Sequence, residues 1–299
     1  MDHAHHGYSA LPHRPAVSFP NGPRLHAFVV LCLEHWDAEP RPDAVRDPRF
    51  VGEFGSFSPD YRSWTQREYG LRLGLFRVLD ALRESGITPA VAANAHALLR
   101  LPELARQLAV QGCEFIGHGL AANDLMHGDM PLDTQRDHIA RSLVAFDDVL
   151  GQRPTGWLSQ DWGTSPDTFE LLARAGLRYT LDWCNDDQPY QLNTTPALTA
   201  VPLSAEWDDV QCQWLRQMAP IDHAALAQQA FDRLHHECAA HRRGAVFGLA
   251  LHPWVCGMAS RIAALRGLLQ TLRACDGVAW VQPAQLLLPI PSHAINPSA

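Results

Sequence analysis

Apolar runs and amphipathic stretches alternate along most of this chain. The run from Phe28 to Leu33 is continuously apolar, as expected for a strand that is buried on both faces. The segment EYGLRLGLFRVLDALRESG then carries Leu75, Val78 and Leu82 on one helical stripe and ends at Gly86. Together they predict a strand followed by a helix that packs on it.

The same pattern recurs about seven times. The predicted strands after the first are ITPAVAAN, CEFIGHG, TGWLS, LRYTLDW, AVFGLALHPW and GVAWVQ, and helical patterns separate them. Short connections between alternating strands and helices favour one α/β domain with a mostly parallel sheet. We therefore predict a distorted parallel (β/α) barrel of about seven strands. No GxGxxG follows the first strand, so a dinucleotide-binding fold has no support.

The pattern also divides the chain. We expect residues 1–23 to form an N-terminal extension packing on the barrel, residues 24–285 to form the barrel, and residues 286–299 to form a C-terminal tail. The early histidines His3, His5 and His6 are interpreted as part of a solvated segment. Two long departures from the alternation, residues 39–65 and 185–209, are candidates for functional loops, because long loops in compact domains often are.

Composition narrows the class of protein. The chain has 299 residues and a formal net charge of −8, which argues against nucleic acid as a partner. Its seven cysteines form no CxxC pair, so a zinc knuckle or a disulfide framework is not expected. Neither a signal peptide nor a membrane-spanning run is evident. These features predict a cytoplasmic protein with reduced thiols and no membrane partner.

Polar side chains gather where the predicted strands end. They are Glu34, His118, Asp182 and His252, with Arg153 beside the TGWLS strand. In a parallel barrel the carboxyl ends of the strands meet on one face, where active sites lie. Each residue alone is more often structural, but five together favour a site. Aromatic and charged residues near the same ends are candidate substrate contacts: Trp36, Tyr69, Arg72, Trp157, Trp183 and Trp254.

Several stretches in order carry a family resemblance: FPNGPRLHAFVVLCLEHW, REYGLRLGLFRVLDAL, FIGHGLAAND, GQRPTGWLS, LLARAGLRYTLDWCNDDQPY and GLALHPWVCG. Over roughly residues 8–285 the chain resembles the polysaccharide deacetylase superfamily. Within it, the chain is most similar to the branch of allantoinases, cyclic imidases and peptidoglycan-deacetylase homologues. The resemblance implies a distorted barrel of about seven strands, in agreement with the hydrophobic pattern.

The resemblance also implies roles for single residues. Glu34 matches the position of a catalytic base, Arg153 that of an arginine that orients it, and His252 that of a general acid tuned by Asp182. His118 matches the first histidine of a histidine-x-x-x-histidine metal clamp, but Ala122 stands in place of the second. Glu34 and His118 are thus the metal ligands that remain, and a zinc site wants at least three. Asp124 and His127 are possible third ligands from the loop.

These residues predict a hydrolase of non-peptide C–N bonds that works by carboxylate and histidine acid–base catalysis. Glu34 would activate water, and His118 with the Gly119 N–H would hold the oxyanion. We expect a small cyclic ureide, imide or amide as substrate, with an N-acetylated saccharide as the alternative. A non-catalytic binding protein of deacetylase fold is the second alternative. The expected cofactor is none or a weakly bound divalent metal such as zinc, and the expected assembly is a homo-oligomer, a dimer or tetramer.

Overall fold

A nine-stranded, curled sheet organises the structure, a computed structural model that describes residues 3–17, 19, 25–41, 44 and 59–287. The strands are β1 (Leu25–Leu33), β2 (Ala90–Ala93), β3 (Phe115–Gly117), β4 (Gly156–Trp157), β5 (Tyr179–Thr180), β6 (Tyr190–Leu192), β7 (Leu198–Ala200), β8 (Ala245–Leu251) and β9 (Val278–Trp280). Their order across the sheet is β6-β7-β5-β4-β3-β2-β1-β8, and β9 pairs with the first residues of β1 beside β8. All described pairings are parallel except that of β6 with β7.

The helices cover the outside of the curled sheet. They are α1 (Tyr61–Tyr69), α2 (Leu75–Glu84), α3 (Ala95–Arg100), α4 (Pro102–Val110), α5 (Leu132–Leu150), α6 (Thr168–Arg174), α7 (Pro220–His241) and α8 (Ile262–Arg273). Two π-helical turns, Gly70–Gly74 and Val210–Leu215, add to them. In the part of the chain that the structure describes, no helix has the length and apolar character needed to cross a membrane.

The sheet bends far enough for its two ends to meet. The backbone N–H of Val246, at the start of β8, donates to the Asp187 carbonyl at 2.9 Å, just before β6. The side-chain amide of Gln188 donates to the Gly244 carbonyl at 2.6 Å beside it. The predicted distorted (β/α) barrel is therefore confirmed.

Two of the nine strands were not predicted. They are β6 and β7, and both lie within residues 185–209, which the sequence suggested as a loop. Tyr190, Leu192 and Leu198 are buried there and pack in one apolar cluster with Trp157 and Phe169. The strands are only three residues long, too short for their alternation to stand out from a loop.

Successive side chains of each strand point alternately into the barrel and outward to the helices. On β1, Phe28, Val30 and Cys32 point into the barrel, where they pack with residues such as Ile116 and Ala250. Leu31 and Leu33 point to the helices and join the larger outer core. This alternation decides which polar residues reach the mouth of the barrel when the strands end.

The N-terminal segment lies against the barrel. The Asn193 N–H donates to the His5 carbonyl at 2.7 Å, and the Gly244 N–H donates to the Val17 carbonyl at 2.6 Å. The rings of His3, His5 and His6 all contact Trp183 edge-on, at centroid distances of 5.2 to 5.5 Å. The sequence predicted that these histidines belong to a solvated segment: His3 is exposed, whereas His5 and His6 are half-buried against Trp183. The description of the structure ends at Leu287, so most of the predicted C-terminal tail lies outside it. Much of the 39–65 loop also lies outside the described residues.

Candidate active site

Glu34, His118 and His252 come together at the carboxyl ends of β1, β3 and β8. Glu34 continues the inward row of β1 after Cys32, and His252 continues that of β8 after Ala250. His118 follows β3, and its Nε2 lies 3.4 Å from the Glu34 Oε1. Glu34 and His118 are buried, and the side chain of His252 is 12% exposed. The parallel strands thus converge as the sequence predicted.

Both ring nitrogens of His118 face acceptors. Nδ1 lies 2.5 Å from the Leu158 carbonyl oxygen, and Nε2 faces the Glu34 carboxylate. Burial lowers the pKa of His118, but hydrogen bonding to Cys32 and Glu34 and their charges outweigh it and raise this pKa to about 9. At neutral pH His118 is therefore an imidazolium that donates from both nitrogens.

The protonation state of His118 can be tested directly by NMR. At pH 7 we expect ¹⁵N shifts of an imidazolium, with both nitrogens protonated and a titration near pH 9. Because this pKa lies above 6.5, the interaction stabilises the fold fully below pH 6.5, and that stabilisation is lost as the pH rises through about 9. The variant His118→Gln identifies the resonances. A neutral ring at pH 7 would contradict the assignment.

Glu34 is held as a carboxylate by its neighbours. Burial raises the pKa of Glu34, but the charge of His252, the hydrogen bond and charge of His118, and a hydrogen bond from the Trp254 side chain outweigh it, so this pKa lies below its usual value. The Glu34 Oε2 is buried and has no hydrogen-bond partner among the described residues. One carboxylate oxygen is thus anchored, and the other is open to a ligand or water.

The cation beside Glu34 is Arg67 of α1, which the sequence did not indicate. The Arg67 side chain is 4% exposed, and its guanidinium lies 4.1 Å from the Trp36 ring centroid and 4.7 Å from that of Trp254. The same guanidinium lies 5.9 Å from the ring centroid of Trp214. Burial lowers the pKa of Arg67 to about 10, while the charge of Glu34 acts to raise it. Three indoles therefore hold a buried cation near the carboxylate.

Arg153 does not take part in the site, so its predicted role is wrong. It precedes β4 and therefore lies at the amino end of the strands, opposite to Glu34. Its side chain is 55% exposed and pairs with Asp147 at 2.6 Å. The sequence could have indicated this position, because Arg153 comes before its predicted strand, whereas the other candidates follow theirs.

Glycines bring α1 close to the loop after β8. A Cβ on Gly70 would lie 2.7 Å from the Trp254 nitrogen, and one on Gly74 would lie 2.1 Å from the Pro253 oxygen. These glycines belong to the π-helical turn that joins α1 to α2. Only residues without a side chain allow this approach, which places Arg67 over Trp254.

His252 is fixed by an aspartate from the 185–209 stretch. Asp209 accepts from the His252 backbone N–H at 2.9 Å and from Nδ1 at 2.7 Å. Burial lowers the pKa of His252, but the charges of Cys32, Asp209, Asp208 and Glu34 outweigh it and raise this pKa well above its usual value. Asp209 thus anchors the Nδ1 of His252, and the neighbouring carboxylates favour the protonated form of the ring.

Asp182, predicted to tune His252, lies elsewhere in the site. It accepts from the Ser159 N–H, from the Ser159 hydroxyl at 3.0 Å and from the Thr180 hydroxyl at 2.7 Å. Burial raises the pKa of Asp182 to about 6, although these hydrogen bonds and the charge of His118 oppose it. The prediction of its partner is therefore wrong: Asp182 braces the loop after β4 and stabilises the charge of His118.

The predicted substrate contacts divide into two groups. Trp36 and Trp254 lie at the site, in contact with Arg67. Trp157 is fully buried in the outer core and donates to the Ser159 hydroxyl at 3.0 Å, so its predicted role is wrong. Trp183 packs under the N-terminal histidines, also away from Glu34.

The other two predicted contacts are Tyr69, the last residue of α1, and Arg72 in the π-helical turn that follows it. The Tyr69 hydroxyl accepts from Arg77. Arg72 is exposed to solvent, and no described contact links it to Glu34 or His252. The structure therefore does not bring Tyr69 or Arg72 to the acid–base residues.

The described residues do not fit a three-ligand zinc site around Glu34 and His118. The His118 Nδ1 lies 2.5 Å from the Leu158 carbonyl, so only Nε2 faces the position of a metal beside Glu34, and binding there would release its proton. Ala122 supplies no donor, and Asp124 is engaged by Arg41 at 2.8 Å and His138 at 3.6 Å. Among the described residues, one group of three potential donors converges, Asp208, Asp209 and His252, whose ligand atoms lie within 4.8 Å of one another.

Comparisons with known proteins agree with the fold. No family profile matches the chain. A Schizosaccharomyces pombe protein whose name places it among the polysaccharide deacetylases is 25% identical over 238 residues, which cover 72% of this chain and 71% of the relative. The resemblance to the polysaccharide deacetylase superfamily is therefore confirmed, at the level of the superfamily.

Two solved structures share the architecture. A Pseudomonas aeruginosa PAO1 protein, also named among the polysaccharide deacetylases, superposes with a TM-score of 0.79 at 23% identity and covers 91% of this chain and 93% of its own. The Puue allantoinase superposes with a TM-score of 0.77 at 22% identity and covers 91% and 92%. At these identities the likeness shows the fold.

Proposed function

We propose that this protein hydrolyses an amide-type C–N bond outside peptides, in a small cyclic ureide, imide or amide. The observation that carries the proposal is the meeting of a buried carboxylate, Glu34, with a histidine, His252, whose ring is anchored by Asp209, at one barrel mouth. A base with a free oxygen and an acid with an anchored ring are the two groups that such a hydrolysis needs.

The chemistry follows from the two protonation states. Glu34 Oε2 accepts a proton from water as the water oxygen attacks the carbonyl carbon. The carbonyl π electrons move to the oxygen, and a tetrahedral intermediate forms. When it collapses, the C–N bond breaks and the His252 Nε2 gives its proton to the leaving nitrogen. The products are a carboxylic acid and an amine or its equivalent.

His118 serves this reaction through Glu34. Its two N–H groups are directed at Leu158 and Glu34, so the oxyanion role that we predicted for it lacks a free donor. The imidazolium instead keeps Glu34 ionised and in place. Asp209 does the same for His252, since it fixes the ring and stabilises its positive charge.

A small substrate is supported by the surroundings of the acid–base pair. Glu34 is 9% exposed, and the indoles of Trp36, Trp214 and Trp254 stand beside it around Arg67. Deacetylation of N-acetylated saccharides is the second candidate, favoured by the names of the similar proteins. Both reactions use the same acid and base on an amide carbonyl.

A substrate screen distinguishes these proposals. Purified protein and its Glu34→Gln variant are incubated with allantoin, dihydropyrimidines, cyclic imides and N-acetyl oligosaccharides, and ring opening or acetate release is measured. We expect ring opening that depends on Glu34. Preferential acetate release would favour the saccharide deacetylase. No turnover by a folded protein on any of these substrates would favour the non-catalytic alternative.

We expect the activity to survive chelation. Since Glu34 and His118 supply only two donors and Ala122 supplies none, prolonged dialysis against a chelator is predicted to leave kcat unchanged, with less than stoichiometric metal by elemental analysis. Loss of activity that zinc restores would contradict this. The variant Asp208→Asn then locates such a metal, because it removes a donor of the Asp208–Asp209–His252 group and leaves Glu34 and His118 intact.

Two further proposals concern the setting of the protein. We propose a homo-oligomer, a dimer or tetramer, and a cytoplasmic location, as the sequence predicts. The partner would be a small-molecule substrate, with neither nucleic acid nor membrane bound.

A further inference from the structure

The backbone on both sides of Glu34 is hydrogen-bonded to one buried asparagine. Asn94 follows β2 and is fully buried, and its backbone N–H donates to the Leu33 carbonyl at 3.2 Å. Its side-chain oxygen accepts from the His35 N–H at 3.2 Å, and its side-chain nitrogen donates to the His35 carbonyl at 3.0 Å. Leu33 is the last residue of β1 that pairs with β2, so the Asn94 side chain continues the ladder past Glu34.

A second asparagine binds the chain two residues further on in the same way. The Asp37 N–H donates to the Asn123 Oδ1 at 2.9 Å, and the Asn123 Nδ2 donates to the Asp37 carbonyl at 2.9 Å. Between these contacts, the Ala122 N–H donates to the His35 carbonyl at 2.8 Å. Ala122 and Asn123 belong to the segment GHGLAAND, where the family pattern has a second metal-binding histidine. Here this segment supplies hydrogen bonds to the chain that follows β1.

Asn94 also connects the strand of Glu34 to the loop of His118. The backbone N–H of Ala95, the next residue, donates to the Gly119 carbonyl at 2.9 Å. The Asn94 side chain therefore lies between the backbone that carries the proposed base and the backbone that carries its imidazole partner, whose Nε2 is 3.4 Å from the carboxylate. A general base works only within hydrogen-bond reach of the proton that it takes, so the position of this backbone matters for the reaction.

We propose that Asn94 is a positioning residue for Glu34 and that Asn123 secures the same chain beyond it. This inference rests on the proposed hydrolysis, in which Glu34 takes a proton from water. In a hydrogen-bonded pair of an antiparallel sheet, two residues exchange N–H and C=O bonds. Each asparagine side chain makes the same two bonds with one residue, and it fixes the backbone without touching the reacting atoms.

The variant Asn94→Ser removes the contact with His35 and keeps the helix cap. The Asn94 side-chain oxygen also accepts from the Ala97 N–H at 2.9 Å and so caps α3, a role that serine fills as well. The shorter serine side chain has one polar atom and does not reach both backbone groups of His35. We expect kcat to fall about 10²-fold with KM little changed, because a misplacement of about 1 Å costs a rate of this order.

A double-mutant cycle shows whether this loss passes through Glu34. In the Glu34→Gln background there is no base to position, so Asn94→Ser should cause no further loss of kcat. A loss of the same size in both backgrounds would overturn the inference, since Asn94 would then act on the fold or on another group. Wild-type kcat in the single variant Asn94→Ser would overturn it as well.

The matched control is Gln188→Ser. Gln188 is also a buried side-chain amide that donates to a backbone carbonyl, that of Gly244 at 2.6 Å, just before β8. It lies at the opposite end of β8 from His252. We expect its kcat to stay near that of the wild type, even where the free energy of unfolding falls. A loss of kcat equal to that of Asn94→Ser would show that general loosening of the barrel explains both, which contradicts the inference.

Hydrogen exchange tests both asparagine contacts in the wild type, so it covers the case in which the variants fail to fold. The His35 and Asp37 amides lie beyond the last paired residue of β1, and without their asparagine partners they would exchange as loop amides do. We expect both to exchange slowly, like the amides within β1. Rapid exchange of either amide would overturn the inference. Absence of hydrolysis by a wild type in which both amides are protected would instead count against the proposed function, so the two failures are distinguishable.

Discussion

Replacing Glu34 by glutamine is expected to lower kcat/KM by about 10²- to 10⁴-fold, the range for a general base. Glutamine has nearly the same shape and its carbonyl oxygen still accepts from His118, so the fold should persist. It has no basic oxygen, however, and cannot take the proton of water. The loss is expected mainly in kcat, because proton transfer belongs to the transition state.

The matched control is Glu114→Gln at the opposite end of the barrel. Glu114 precedes β3 and accepts from the Tyr179 hydroxyl and from the Ala284 N–H. This change removes a similarly enclosed carboxylate far from His252, and we expect activity close to that of the wild type. Steady-state kinetics on the best substrate, with circular dichroism of each variant, decides the question. Near wild-type turnover in Glu34→Gln would remove Glu34 from the mechanism.

The sequence predicted the residues of the site that lie on strand ends. Glu34, His118 and His252 each follow an apolar run, and the parallel arrangement alone brings them to one face. Trp157 shows the limit of that reasoning. It lies within β4 on the outward side, while its neighbour Leu158 points inward. The alternation of the strand could have placed it in the outer core, had the two-residue strand been delimited.

The missed residues lie outside the alternation of strands and helices. Arg67 reaches Glu34 because Gly70 and Gly74 let α1 approach the loop that carries Trp254, a contact between segments far apart in sequence. Asp209 reaches His252 from a segment read as a loop. A pair of adjacent acids in the stretch EWDDVQ was the available signal. Which histidine it would meet depends on tertiary packing, and the chain order does not contain that information.

The structure around Ala122 and His118 shows what stands in place of the histidine-x-x-x-histidine metal clamp. Where the family pattern has a second histidine, Ala122 offers no ligand, and its N–H donates to the His35 carbonyl at 2.8 Å. Both ring nitrogens of the remaining His118 face acceptors, the Leu158 carbonyl and the Glu34 carboxylate. A cation on the imidazole does for Glu34 part of what a metal does for a carboxylate, since it keeps the oxygen ionised in a buried place.

Replacing His252 by alanine is expected to lower kcat by about 10²- to 10⁴-fold for substrates whose leaving nitrogen is strongly basic. Such a nitrogen departs only after it gains a proton, and since Asp209 holds the Nδ1 of His252, Nε2 is the nitrogen that would supply it. The loss should shrink as the leaving nitrogen becomes more acidic, from an alkyl amide to an imide. His223→Ala is the control, because His223 is also buried but binds Gln213 and the Trp207 carbonyl.

The variant Asp209→Asn distinguishes the proposed proton donation by His252 from the stabilisation of its charge by Asp209. Asparagine can still accept through its oxygen, but it carries no charge, so the pKa of His252 should fall and the alkaline limb of the pH profile should move to lower pH. The variant should keep the same dependence on the leaving group as the wild type, at a lower kcat, because His252 is still present. A plot of kcat against the pKa of the leaving nitrogen measures this. If His252→Ala gave the same slope as the wild type, His252 would not be the proton donor, and its contact with Asp209 would be structural.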